Sequence, residues 1–353
     1  MKKMLLALAV LLMAGALLLS PGVVAAGVKD GLSLSAGVLI PSLFPFMVLA
    51  GFLALSGAGD LLAAPLRPLT ALLRLPPSAG AALLTGFVGG YPAGARTLDT
   101  LVVAGRLDRE TAERMLLFCV NPGPSFVVIA VGSRMFGSIR TGWLLFAAGC
   151  LSSLTYAVLF ARGKQTTAAK DEGALPVPAA FVQAVRNAAQ GMLSICGFVV
   201  IFCAVQNLLV SALSRLSLPS WPGGVAGGIL EVTCGCRFAA TLGGREGVLL
   251  AAFLLSFSGI SVLCQTAEAV GASGIRLRGF FRARLLCGAF GAGYAYLFLR
   301  IFGGVLPAGT APGRPVMLLS ADQAVGALCL CAMSLFLLVR TESGAKRLAK
   351  RRG

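Results

Sequence analysis

Glu231 is the residue most able to do chemistry. It sits in an apolar stretch with no other charge within five residues on either side. A carboxylate in such a setting can bind a cation, a proton or a sugar hydroxyl. The plainer alternatives are an ion pair with Arg237 or a place at the water interface. Thr233, Cys234 and Cys236 follow within one turn and a half. The two thiols could offer soft ligands to Fe(II) or Cu(I), although C-x-C spacing is not the C-x2-C of zinc or redox sites. A second polar group lies near Gly90 and Tyr91, whose ring could stack on a ligand or cap a hairpin. Arg96 and Asp99 follow at a spacing that lets them pair with each other on one helix face. Two further runs, Asn121-Pro122-Gly123-Pro124-Ser125 and Ser256-Phe257-Ser258-Gly259-Ile260-Ser261, set amides, hydroxyls and glycines where a helix would break. Serines in such places either face a ligand or satisfy nearby backbone.

Other chemistry is excluded. The 353 residues contain no histidine, which removes histidine acid–base catalysis, triads and His-ligated metals. No G-x4-G-K-[ST] loop occurs. We therefore expect no catalysis, no resident cofactor or metal, and no built-in nucleotide motor.

These residues must be positioned by membrane helices. Hydrophobic residues make up 57% of the chain and charged ones 12%, with a mean hydropathy of +0.89. A soluble protein could not bury so much apolar surface. Apolar runs near 4–26, 36–57, 112–132, 142–161, 191–213, 246–270, 282–302 and 318–339 are each long enough to cross roughly 30 Å of hydrocarbon. Two more, 79–104 and 225–243, are interrupted, at Gly89–Gly94 and at Thr233–Arg237. Their halves are too short to span, so both read as re-entrant hairpins, with a kinked span as the rival. The first run favours a retained helix over a cleaved signal peptide, being long for the latter. The ten cysteines all lie in apolar segments and read mainly as packing.

The net charge of +17 would suggest nucleic acid in a soluble protein. Here it serves as a topology ruler. With the N-terminus inside, 21 of the 30 basic residues, Arg276, Arg278, Arg282 and Arg284 among them, fall on the cytoplasmic side. Seven fall outside, and Arg96 and Arg237 lie in the hairpins. The expected partner is thus the lipid bilayer and not nucleic acid. The expected location is a bacterial inner membrane, with both termini cytoplasmic.

The order span, hairpin, broken span, span occurs twice, over about 36–161 and 191–302. Gly123 and Ser125 align with Gly259 and Ser261, and Gly90 with Gly235. Three full spans separate the two starts, which inverts the second copy. Inverted repeats with broken helices bind solutes near the membrane midplane, where freed N–H and C=O groups line a cavity.

The stretches Pro41–Phe46, Pro65–Leu69 and Gly89-Gly90-Tyr91-Pro92-Ala93-Gly94-Ala95-Arg96 resemble the YlbJ-type sporulation integral membrane proteins. So do Thr111–Arg114 and Phe118–Phe126. The resemblance covers most of 36–303 and is more specific in its first half. It extends to the wider Gate, or nucleoside-recognition, group. That group also holds the spore maturation proteins, the membrane part of ferrous-iron transporter B and the concentrative nucleoside transporters. The resemblance implies a span–hairpin–span–span repeat and a connection with spore cortex formation, without a settled activity. One departure is Asn121-Pro122-Gly123-Pro124, where the family more often shows an Asn/Ser-rich run.

The resulting expectation is an all-α polytopic membrane protein of about eight spans plus two re-entrant hairpins in two inverted repeats, resembling the concentrative nucleoside transporter core. Its parts are an N-terminal helix (1–30), a first repeat (31–162), a cytoplasmic linker (163–188), a second repeat (189–303), and a last helix with a basic tail (304–353). A small polar solute would meet Gly90, Tyr91, Asn121, Gly123, Ser125, Glu231, Thr233, Gly235, Ser258, Gly259 and Ser261. Its movement would be secondary or passive. The alternatives are a membrane scaffold in spore assembly or a soft-metal permease. Assembly as a homo-oligomer stays open.

Overall fold

The structure is a computed structural model, and it describes residues 2–57, 64–163, 175–215 and 220–302. The expected last span at 318–339 lies outside these, as do Cys329, Cys331 and the basic tail. Among the described residues all regular structure is helical. Among the described residues, Pro21–Leu55, Ile139–Phe160, Val177–Ser214 and Gly244–Ala269 are long and apolar enough to cross a membrane. The chain is thus a polytopic membrane protein.

Helix α1 (Lys2–Leu19) is followed by α2, which runs unbroken from Pro21 to Leu55. Two spans expected here, 4–26 and 36–57, therefore have different bounds, and the loop expected between them is helical. Pro41 and Pro45 do not stop α2. Its hydrogen bonding shifts to a π turn at Ser35–Leu39 just before Pro41, a common way to absorb a lost N–H. The Gly37 carbonyl, four residues before Pro41, accepts from Arg134 Nη1 at 2.8 Å. Gly27 and Gly31 form a G-x-x-x-G face on α2. A Cβ at Gly27 would lie 2.6 Å from the Ala204 Cα, so the backbones nearly touch.

After the short α3 (Arg67–Leu72) come α4 (Ala79–Val88) and α5 (Tyr91–Val103). These are the two arms of the first hairpin, as expected. The expected span 112–132 is not one helix. It divides into α6 (Arg109–Leu116), a stretch from 117 to 123 without regular helix, and a π-helical segment α7 (Ser125–Met135). Asn121-Pro122-Gly123-Pro124 causes this, since two prolines and a glycine within three positions cannot hold a helix interior. Asp108 starts α6 by accepting the Thr111 N–H at 2.8 Å. Helix α8 (Ile139–Phe160) completes the first half.

The second half opens with α9 (Val177–Arg215). It absorbs residues 177–188 of the expected linker, so the chain there is helical. Then follow α10 (Ser220–Leu230), α11 (Val232–Leu242), α12 (Gly244–Phe257), α13 (Gly259–Ala269) and α14 (Phe280–Ile301). The same order occurs twice: a long helix, a two-armed hairpin, a broken helix, a long helix.

The halves are joined by side chains. Arg96 pairs with Glu268 at 2.5 Å, not with Asp99 as the spacing had suggested. Asp99 instead accepts the Ser273 N–H at 2.8 Å. Arg276 donates to Glu113 from its backbone N–H and from Nε, the latter at 3.0 Å. Burial pushes the Glu113 carboxyl up, but those two hydrogen bonds and the charges of Arg276 and Arg109 outweigh it. The net effect holds Glu113 below the usual carboxylate range. A depressed folded pKa stabilises above the unfolded value and ceases to as pH falls through the folded one. Thermal melts from pH 6 to pH 3 should therefore show an acid-side loss of stability in the wild type. Glu113→Gln should flatten that part of the profile.

Candidate functional site

Each hairpin tip faces the break of its own half. A Cβ on Gly123 would lie 3.1 Å from the Val88 carbonyl oxygen and 3.2 Å from the Gly90 nitrogen. A Cβ on Gly259 would lie 3.2 Å from the Ile229 oxygen and 3.4 Å from the Val232 nitrogen. The matching of Gly123 with Gly259 is thus reproduced in space. The matching of Gly90 with Gly235 is not. The second hairpin turns at Glu231, two residues before the expected interruption at 233–237. Gly235 lies four residues past that turn, as Gly94 lies four past Gly90. Both do the same work. A Cβ at Gly94 would lie 2.7 Å from the Gly86 Cα and 2.1 Å from the Cys119 oxygen, and one at Gly235 would lie 2.4 Å from the Gly228 Cα. In both hairpins the arms cross on a glycine pair.

The tips differ in chemistry. The first is capped by Gly90, at φ 93°, which offers no side chain. The second is capped by Glu231, which is 1% exposed. Its Oε2 accepts the Cys234 N–H at 2.8 Å, and its Oε1 accepts the Thr233 hydroxyl at 3.1 Å. The carboxylate thus ends its own helix and meets the positive end of the helix dipole. It does not pair with Arg237.

The second break is a single residue, Ser258, in the left-handed region at φ 80°. It ends α12 and frees its last carbonyls. Ser258 N–H donates to the Leu254 oxygen at 2.7 Å. Tyr91, from the first hairpin, donates its hydroxyl to the Leu255 oxygen at 2.8 Å. Arg284 donates Nη2 to the Ser256 oxygen. Tyr91 therefore caps a helix of the other half, not its own hairpin. Arg284 is not in a cytoplasmic loop. It is 2% exposed inside the fold, with Nε and Nη1 unpartnered among the described residues. The sequence had marked it only as one arginine in a basic cluster; its place four residues into an apolar helix was the available signal. The Ser256 and Ser258 hydroxyls are also buried without a partner among the described residues.

The first break is longer and internally braced. Asn121 donates Nδ2 to the Phe118 oxygen at 2.8 Å, and its Oδ1 accepts the Ser153 hydroxyl at 2.5 Å. Ser125 donates to the Ser42 oxygen at 2.6 Å. Ser261 accepts from Gln265 Nε2 at 3.1 Å. Ser153 and Gln265 were not foreseen, since nothing in their spacing sets them apart from packing residues.

A cavity of about 20 Å³ lies between the tips. Tyr91 and Gly123 of the first half form part of its wall, and Glu231, Thr233 and Gln265 of the second form another part. That volume admits about one water molecule. Of the expected residues, Gly90 touches Gly123 at this tip, and Asn121 and Ser125 brace the adjoining break. Gly235 and Ser261 lie outside the cavity wall, as do Ser258 and Gly259 at the second break. Tyr91→Phe should leave the Leu255 carbonyl without its donor. The expected cost is about 1–2 kcal/mol, read as a lower unfolding midpoint in detergent.

Comparison with known proteins agrees with the resemblance read from the sequence. Residues 36–139 match the Gate family model, described as nucleoside recognition. The chain is 27% identical to the sporulation integral membrane protein YlbJ of Bacillus subtilis (strain 168), over 312 aligned positions covering 76% of each chain. No solved structure matches.

Proposed function

We propose that this chain is a Gate-type transporter or channel of the bacterial cell membrane, handling a small polar solute between the two hairpin tips, in a cell process connected with sporulation. The observation that carries this is the shared cavity wall: Tyr91 and Gly123 come from one half and Glu231 and Thr233 from the other. Each tip opposes a broken helix, the arrangement in which membrane proteins expose backbone groups to a solute. In this reading the halves are inverted repeats within about eight spans, and both termini are cytoplasmic. The relative's name supplies the sporulation link. The cavity holds about one water, so the solute-bound state requires the tips to part.

The test is a thermal-shift screen of the purified protein against nucleosides, sugars, amino acids and small ions. Supporting the reading would be a solute that stabilises the wild type and not Glu231→Ala or Asn121→Ala, with Glu231→Gln intermediate. Stabilisation by no solute, or equally in all variants, would overturn it.

A specific observation favours a second reading, a non-transporting membrane scaffold in spore assembly. Tyr91, Asn121, Ser125 and Glu231 all spend hydrogen bonds on the protein itself. A scaffold would show no solute-dependent shift, while Tyr91→Phe would still lower its stability.

A further inference from the structure

We propose that Cys203, Glu231 and Cys234 form a binding site for a borderline-soft divalent metal ion of the zinc class, at the tip of the second hairpin. The donor atoms of these three residues lie within 4.8 Å of one another. They come from two elements, α9 and the turn into α11, and the two sulfurs are 3.4 Å apart.

Distances favour a metal over a disulfide. Two thiolates bound tetrahedrally to zinc at about 2.3 Å stand roughly 3.8 Å apart, so the sulfurs here need to part by about 0.4 Å. A disulfide requires about 2.05 Å, a closure more than three times as large. Donor type sets the ion class. Two sulfurs and one carboxylate suit zinc-like ions, whereas calcium and magnesium demand oxygen.

The carboxylate is already oriented. The Cys234 N–H and the Thr233 hydroxyl each hold one oxygen of Glu231, and each oxygen keeps a second lone pair for a metal. Such outer hydrogen bonds fix a ligand's direction. Binding would release the two thiol protons to solvent. The ion then carries two thiolates and one carboxylate, a net charge of −1, and Arg237 stands one turn beyond Cys234. Three protein donors leave a fourth position open, and Glu231 also forms part of the cavity wall. Cys236, the apparent partner of Cys234 in the C-x-C pair, is not in the cluster. The site shares Glu231 with the solute cavity, but Cys203 and Cys234 are outside that cavity wall, so cysteine-dependent cadmium binding tests the metal site separately from the solute reading.

The test uses the full-length protein in detergent, reduced and stripped of metal, titrated with Cd(II). The expected result is one equivalent bound, with an ultraviolet thiolate-to-cadmium charge-transfer band, and displacement by Zn(II). Cys203→Ser and Cys234→Ser should each weaken binding by at least about tenfold, and Glu231→Gln by about tenfold. Cys236→Ser should bind as the wild type does. A readout on the wild type alone guards against misfolded variants: Zn(II) should protect Cys234, the half-buried thiol of the pair, from alkylation, mapped by mass spectrometry, and leave the half-buried Cys264 reactive. No band, no protection of Cys234, or loss in Cys236→Ser equal to that in Cys234→Ser would each overturn the site. So would a Cys203–Cys234 disulfide in unreduced protein together with no cadmium binding after reduction.

Discussion

Replacing Arg284 with alanine is expected to destabilise the protein by about 3–5 kcal/mol, the range for emptying a large buried side chain. Two effects oppose each other. The substitution removes a buried charge that has no carboxylate partner among the described residues, and by itself that relieves a desolvation cost. It also empties the space of a side chain that is 2% exposed and orphans the Ser256 carbonyl, worth about 1–3 kcal/mol. The second effect wins because the charge is partly compensated. The guanidinium sits at the C-terminal end of α12, where the helix dipole supplies about half a negative charge. Arg284→Met separates the terms, since it keeps most of the volume and drops both charge and cap. Unfolding midpoints should rank wild type, then Met, then Ala. A Met variant at or above the wild type would mean that the guanidinium is kept for a reason other than stability.

Gly94→Ala should be nearly as damaging, at about 3 kcal/mol. The added methyl would meet the Cys119 carbonyl oxygen at 2.1 Å and the Gly86 Cα at 2.7 Å. Both are backbone, so no rotamer change relieves the overlap. The first hairpin would have to open or the loop before Asn121 withdraw. Gly197→Ala is the matched control, a helical glycine with nothing within 4 Å of the new carbon. It should be neutral or slightly stabilising, because alanine is the better helix former. The comparison reads as folded yield and unfolding midpoint. Equal behaviour of the two variants would refute the crossing geometry.

The sequence carried the class of protein and the plan of the site further than it carried the contacts. Interrupted apolar runs at 79–104 and 225–243 signalled two hairpins, because each arm is too short to span. Prolines and glycines at 121–124 signalled the first break for the same reason they cause it. The second break was visible only as a Ser–Gly step, and both of its residues, Ser258 and Gly259, have a positive φ of 80°. Glu231 stood out as an isolated charge, but its role as a helix cap required knowing where the hairpin turns. Arg284, Tyr91 and Asp99 act on backbone groups more than 25 residues away, and no local period encodes such a partner. Cys203 and Cys234 are 31 residues apart on different elements, so their meeting could not be read from spacing, and the nearer Cys236 was a decoy.

The side-chain ties between the halves have one more consequence. Tyr91 to Leu255, Arg96 to Glu268, Asp99 to Ser273 and Ser152 to Cys287 all join residues before 163 to residues after 175. Tyr91 and Ser152 bind main-chain carbonyls and Asp99 a main-chain N–H, so what is recognised is a backbone shape more than a side-chain identity. The molecule is in effect a heterodimer written as one chain. Its two members are free to drift in sequence on the recognised side, so long as the carbonyls and N–H groups stay in place. This accounts for two halves that share an order of parts while retaining little residue-by-residue likeness.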